Sequence, residues 1–84
     1  MNKAQYKKAY IHKPDKALIK LGFKHITPSL YNEHTKYYDG FTLCVFVDKQ
    51  GCYYAEIETD DNAIIQIPDY ITYEFIENFD KENS

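Results

Sequence analysis

The chain has 84 residues, of which 44% are hydrophobic and 27% are charged, and its formal net charge is −3 at pH 7. This length suits one domain, and this balance is typical of a folded globular protein rather than a disordered one. No apolar run approaches the ~20 residues that a membrane-spanning helix needs, and no signal-peptide pattern is present. We therefore expect a cytoplasmic protein with no membrane partner.

Charge is distributed unevenly along the chain. Residues 1–25 carry seven lysines and one aspartate, whereas residues 56–84 carry nine acidic residues and one lysine. All ten basic residues are lysines, so arginine is absent. Such segregation can steer a charged partner or simply keep a small protein soluble, and the sequence leaves both interpretations open.

The amino-terminal part predicts two short helices. Residues 2–11 form a basic segment that Pro14 limits, because the residue before a proline avoids the helical region. Pro14 suits the first turn of a second helix that ends at Leu21, with Gly22 beyond its end. We divide the single domain into a basic segment (1–13), an α+β core (14–80) and a frayed tail (81–84).

The centre of the chain predicts a four-stranded antiparallel meander. The turn at residues 48–51 has Gly51 in the left-handed position, which pairs Asp48 with Cys52. The turn at residues 59–62 has Asn62 in that position and pairs Thr59 with Ala63. A third turn of this type, at residues 37–40, would place Tyr37 opposite Phe41.

These registers divide the side chains between two faces of the sheet. One face carries the apolar residues of the strands, together with Tyr31 and Tyr37, and would pack against the helices. We call the opposite one the outer face, and it would carry Thr42, Cys44, Phe46, Tyr54, Glu56 and Glu58. Glu33 is a misfit, because this register places it opposite Val45 on the apolar face.

A last helix is predicted over Tyr70–Phe79, with Asp69 as its N-cap. The predicted order is therefore α-β-β-β-β-α, a two-layer α+β fold in which the amino-terminal and carboxy-terminal helices pack on one face of the sheet.

The sequence contains no pattern that we associate with catalysis. Cys44 and Cys52 would lie roughly 13 Å apart along the ladder, too far for a disulfide, so both are expected to be free thiols that pack as small hydrophobic side chains. Cys44 beside His34 is the only Cys–His pair that could form. The three histidines lack the spacing of a metal site, so we predict no enzyme, no metal and no cofactor.

The aromatic surface is the strongest functional signal. Nine tyrosines are more than a core of this size can enclose, and tyrosine is favoured in interfaces for its large contact area and polar tip. We predict that the outer face binds a host protein, with aromatic anchors and with carboxylates that engage a basic site. The predicted partner-binding residues are Phe46, Tyr54, Glu56, Glu58, Asp60 and Asp61.

Two alternatives remain open. The basic segment could contact nucleic acid, with lysines on phosphates and tyrosines stacked on bases, although arginine is absent and the net charge is negative. The candidate contacts are Lys3, Tyr6, Lys7, Lys8, Tyr10 and Lys13. The outer face could instead be the seam of a homodimer in a self-associating structural protein.

The run KALIKLGFKH at residues 16–25, followed by an aromatic strand ending in KYYDG, resembles small uncharacterised proteins of phages and mobile elements in low-GC Gram-positive bacteria. The resemblance is one of layout, and it transfers no catalytic residues. It implies an accessory protein that binds a host protein stoichiometrically. Anti-defence inhibitors that present acidic surfaces are one such class.

Overall fold

The computed structural model describes residues 11–84. It shows an α+β fold with two helices and five strands in this part of the chain. The elements are α1 (Lys16–Lys20), β1 (Lys24–Ile26), β2 (Glu33–Tyr38), β3 (Phe41–Val47), β4 (Tyr53–Thr59), β5 (Ile64–Gln66) and α2 (Tyr73–Asn83). The helix that we predict within residues 2–11 lies outside the described residues, except for Ile11.

The five strands form one antiparallel sheet in the order β1-β2-β3-β4-β5, a meander in which each strand pairs with its neighbours in the chain. The prediction of four strands is therefore corrected to five. The additional strand, β1, has three residues and pairs with β2 from Lys24↔Thr35 to Ile26↔Glu33. A segment of this length is too short for alternating hydrophobicity to reveal it.

The predicted β3–β4 and β4–β5 registers are confirmed. Cys44 pairs with Glu56, and the Asp48 amide donates to the Cys52 carbonyl at 2.9 Å, with Gly51 at φ 86°. The Thr59 amide donates to the Ala63 carbonyl at 2.9 Å. Asn62 occupies the left-handed region at φ 70°, which asparagine tolerates better than most residues.

The predicted β2–β3 register is wrong by one residue. Tyr38, not Tyr37, pairs with Phe41, so Asp39 and Gly40 alone form the connection. Because side chains alternate along a strand, this shift moves every β2 side chain to the other face. His34, Lys36 and Tyr38 point towards the helices, and Glu33 moves to the outer face, which removes the misfit.

The helix boundaries also differ from the prediction. In α1 the N-cap is Asp15, whose carboxylate accepts hydrogen bonds from the amides of Ala17 and Leu18. In α2 the N-cap is Thr72, not Asp69, because Ile71 is still extended and bridges to Tyr53 at the sheet edge. The same helix continues to Asn83, through most of the predicted frayed tail.

The core lies between the sheet and the two helices. Its buried side chains come from both helices, from the connection between α1 and β1, and from strands β2, β3 and β4: Leu18, Phe23, Tyr38, Leu43, Val45, Ala55 and Ile76. Both helices therefore cover the same face of the sheet, which we call the inner face. This arrangement leaves the outer face uncovered by either described helix.

Candidate functional site

The outer face is built by the alternate residues of the three central strands. Phe46 pairs with Tyr54, and its other neighbour across the sheet is Glu33. Cys44 pairs with Glu56 one step further along the same ladder. Phe46 and Tyr54 therefore occupy one end of this face, with Glu33 beside them and Glu56 one step further along.

The aromatic end carries an open groove. A cleft of about 440 Å³ and a second of about 200 Å³ share Tyr31, Phe46 and Tyr54 as a common wall, and we call the two together the aromatic groove. The larger cleft is also lined by Ala55, Glu56, Gln66, Ile67 and Pro68. The smaller cleft is also lined by His12, Leu30, Val47, Asp48 and Lys49.

Ring contacts hold the aromatic side chains in place while leaving them accessible. The Tyr31 ring meets the Phe46 ring edge-on at 6.3 Å, and the Tyr54 and Tyr70 rings lie 4.3 Å apart. Tyr31 is 66% exposed and Tyr54 is 41% exposed. Offset and edge-to-face pairs are the favoured aromatic geometries, so these contacts orient the rings without enclosing them.

The segment that carries Tyr31 is fixed to the sheet through Asn32. Asn32 adopts a left-handed backbone at φ 47°, and its carbonyl accepts a hydrogen bond from the Val47 amide at 3.2 Å. Its side-chain oxygen lies 3.0 Å from Nε2 of His25 on β1. Tyr31, which the sequence placed on the inner face, is therefore positioned as a wall of the aromatic groove.

Three glutamates concentrate negative charge beside the groove. Burial raises the pKa of Glu33 above its ordinary value, and the charges of Glu56 and Glu58 raise it further. Burial also raises the pKa of the Cys44 thiol to about 12, again with a contribution from these three carboxylates. Because the thiolate is the nucleophile, this shift disfavours nucleophilic reactivity of Cys44 at neutral pH.

The six predicted partner-binding residues fall into two groups. Phe46, Tyr54 and Glu56 line the aromatic groove, and Glu58 lies two residues beyond Glu56 on the same face. Asp60 and Asp61 lie instead at the β4–β5 turn.

Both aspartates have structural partners within the fold. Asp60 accepts a hydrogen bond from the Tyr37 hydroxyl at 2.9 Å. Asp61 accepts one from the Thr59 hydroxyl, which lowers the pKa of its carboxyl group. The two side chains remain exposed, but they also hold the turn in shape.

The predicted nucleic-acid contacts can be placed only in part. Lys13 is exposed. The other candidates, Lys3, Tyr6, Lys7, Lys8 and Tyr10, lie outside the described residues.

The two cysteines have different environments. Both are free, but Cys44 is buried and Cys52 is exposed, so only Cys44 fits the predicted packing as a small hydrophobic side chain. The β2 shift also separates Cys44 from His34, which now lies on the inner face. Within residues 11–84, no group of three or more histidine, cysteine or acidic side chains is arranged to hold a metal ion.

Sequence reasoning missed Tyr31 and Glu33 as outer-face residues. A signal was present, because Asp-Gly between two strands favours a two-residue hairpin connection. Applied to Asp39-Gly40, that rule yields the observed β2–β3 register. No such local signal identified the remaining wall of the groove, formed by Gln66, Ile67 and Pro68, since its position depends on where the chain turns after β5.

Comparisons with protein-family models, curated proteins and solved structures give no match to this chain. None of the helices between residues 11 and 84 is long and apolar enough to cross a membrane. The functional argument therefore depends on the geometry of the outer face.

Proposed function

We propose that this chain is a non-catalytic binding module that occludes a surface of a protein partner with the aromatic groove and the glutamates beside it. The observation that carries the proposal is the contiguity of Tyr31, Phe46 and Tyr54 in an open groove next to a cluster of carboxylates. Exposed apolar surface with a polar rim is typical of protein-binding sites on small domains.

The aromatic side chains would supply most of the binding free energy. Tyrosine and phenylalanine bury large areas and lose few rotamers on binding, and the affinity of an interface usually depends on a few such anchors. Tyr31 and Tyr54 are oriented by ring contacts before any partner arrives. This preorganisation reduces the entropy lost when the complex forms.

The carboxylates define the chemistry of the partner surface. Glu33, Glu56 and Glu58 repel one another electrostatically, as the raised pKa of Glu33 indicates. A basic partner surface would relieve this repulsion and would be attracted over a longer range. A host protein that binds nucleic acid offers such a surface, which would suit an accessory or anti-defence protein of a phage or mobile element.

The experiment is capture of partners from a low-GC Gram-positive lysate by the tagged full chain, with and without nuclease. Two charge-matched variants accompany the wild type: E56K/E58K on the outer face and E74K/E82K on exposed positions of α2. We expect one stoichiometric protein that survives nuclease, binds the α2 variant as it binds the wild type, and is lost with E56K/E58K.

Other outcomes would contradict the proposal in different ways. Equal capture by both variants would exclude the glutamates from the interface. Capture that vanishes after nuclease would favour the nucleic-acid alternative and the lysines of the basic segment. A concentration-dependent sedimentation coefficient without any captured protein would favour self-association.

A further inference from the structure

The lining of the aromatic groove indicates which kind of occupant would suit it. The larger cleft is lined by aromatic, apolar and acidic or amide side chains, and none of its lining residues between positions 11 and 84 is basic. Its most polar wall is formed by Glu56 and Gln66, with Glu58 beyond. A suitable occupant would combine aromatic side chains with several positive charges and no negative charge.

Residues 1–10 have this composition. They contain Lys3, Lys7 and Lys8, two tyrosines and no acidic residue. Attraction between these lysines and the glutamates of the outer face would be strongest at low ionic strength, since the screening length is about 10 Å at 0.1 M salt.

The chain also leads directly to the groove. His12 lines the smaller cleft, so residue 10 is only two positions away from a lining residue. From Val47, at that end, the ladder runs three residues to the level of Cys44 and Glu56, roughly 10 Å at ~3.3 Å per residue. Ten residues can span up to about 33 Å, so their length suffices to reach the glutamates.

We propose that residues 1–10 bind the aromatic groove of their own molecule, with lysines against Glu56 and Glu58, and that a partner must displace them. This contact within the molecule is inferred only from the lining of the groove, the charge of residues 1–10 and their length. Its regulatory consequence, competition with the partner, rests on the proposed function.

The contact can be tested on the full chain by paramagnetic relaxation. A nitroxide is attached at position 2 in the N2C/C52S variant, in which the exposed Cys52 thiol is removed and the remaining native cysteine is the buried Cys44. Signal loss is measured at the backbone amides of Phe46, Tyr54 and Glu58. We expect losses along the whole groove and also at Glu58, which lies beyond it.

Charge reversal separates binding from mere proximity. K3E/K7E/K8E should strongly reduce the loss at Glu58, whereas the matched reversal K16E/K20E/K81E, at exposed positions outside the groove lining, should leave it unchanged. A loss confined to the surroundings of His12 and equal in both variants would overturn the proposal. A mixing experiment gives a second test: isotope-labelled molecules without a nitroxide are combined with nitroxide-bearing molecules without the isotope. Signal loss in this mixture would also overturn the proposal, because it places the contact between copies.

The regulatory consequence has its own readout. If residues 1–10 occupy the groove in about nine molecules of ten, K3E/K7E/K8E strengthens partner affinity about ten-fold relative to K16E/K20E/K81E. Unchanged affinity despite an observed contact would overturn the competition alone. Failure of partner capture by every variant would instead overturn the proposed function and leave the relaxation result intact.

Discussion

The inner and outer faces of the sheet differ in the type of side chain that each one buries or exposes. The inner face encloses charged and polar residues: Lys36, Tyr38 and the fully buried His34 lie beneath the helices. The outer face leaves Tyr31 and Tyr54 partly exposed to solvent. Residue type alone therefore does not indicate which face stabilises the fold and which is available for binding.

Lys36 and Tyr38 are tolerated on the inner face because both donate hydrogen bonds to Asp80. Lys36 donates to the Asp80 carboxylate at 2.5 Å and to the Leu21 carbonyl at 2.6 Å, and the Tyr38 hydroxyl donates to Asp80 at 2.7 Å. Partial burial favours the protonated form of Asp80, but the hydrogen bonds from Lys36 and Tyr38 outweigh it and hold the pKa of this carboxyl below its ordinary value. Asp80 thus ties α2 to β2.

A second network ties α1 to the sheet. The Asp15 amide donates to Nε2 of His34 at 2.9 Å, and the Asp15 carboxylate accepts from the Tyr53 hydroxyl at 2.9 Å while it caps the helix. The aromatic groove has no network of comparable burial among the described residues. From this contrast we predict that inner-face substitutions cost stability and, under the proposed function, that outer-face substitutions cost binding.

The largest effect is expected from a cavity beneath the helices. Leu43 is fully buried, and we predict that Leu43→Ala lowers the free energy of unfolding by about 3 kcal/mol through lost apolar contact and the void left behind. Urea denaturation followed by circular dichroism measures the change. A loss below about 1 kcal/mol would mean that the helices do not pack on this face as described.

The next effect concerns the Asp80 network. Asp80→Asn weakens charge-assisted bonds to two donors, and we predict a loss of about 1.5 kcal/mol, since the Lys36 and Asp80 side chains keep 23% and 15% exposure. The coupling can be isolated in a double-mutant cycle with Lys36→Met. Strictly additive losses would show that the two side chains do not interact in solution.

A smaller effect on stability is expected when the pH is lowered, because His34 is buried in the folded protein. Burial lowers the pKa of His34 from its ordinary value of 6.5, and the charge of nearby His25 lowers it further, although the Asp15 charge and a backbone hydrogen bond with Asn32 oppose both. The unfolded state then binds the proton more readily than the native state. Stability from this residue is therefore complete above pH 6.5 and decreases as pH falls from there towards the lowered pKa.

The measurement is the urea midpoint between pH 7.5 and pH 5, compared with His34→Gln, which keeps an acceptor for the Asp15 amide. Acidic groups such as Glu33 are present in both proteins, so their contribution to the pH dependence cancels in the comparison. A wild-type slope no steeper than that of His34→Gln would contradict the prediction.

The smallest effect on stability is expected at the groove. Tyr54→Ala should change the free energy of unfolding by less than about 1 kcal/mol, because this residue is 41% exposed and lies outside the buried core. Its effect on the captured partner should be larger, about a 30-fold loss of affinity, as expected for a hot-spot anchor. Calorimetric titration measures the affinity, and a variant that loses stability but not affinity would reverse the contrast between the two faces.

Local turn chemistry made part of this fold readable from sequence. Gly51 and Asn62 occupy the left-handed region, which few residues accept, and each sets the pairing of the strands beside it. The β3–β4 and β4–β5 registers follow, and with them the positions of Phe46, Tyr54 and Glu56 on one face. That portion of the candidate site could be predicted.

The tertiary structure decided the rest, because it depends on residues far apart in the chain. The three-residue strand β1 exists only through its pairing with β2, and α2 begins late because Ile71 first bridges to Tyr53. Lys36 can lie beneath a helix only because Asp80, 44 residues away, arrives to bond it. No short window of sequence contains both partners of such contacts, so the composition of the inner face and the walls of the groove emerge only when the chain is folded.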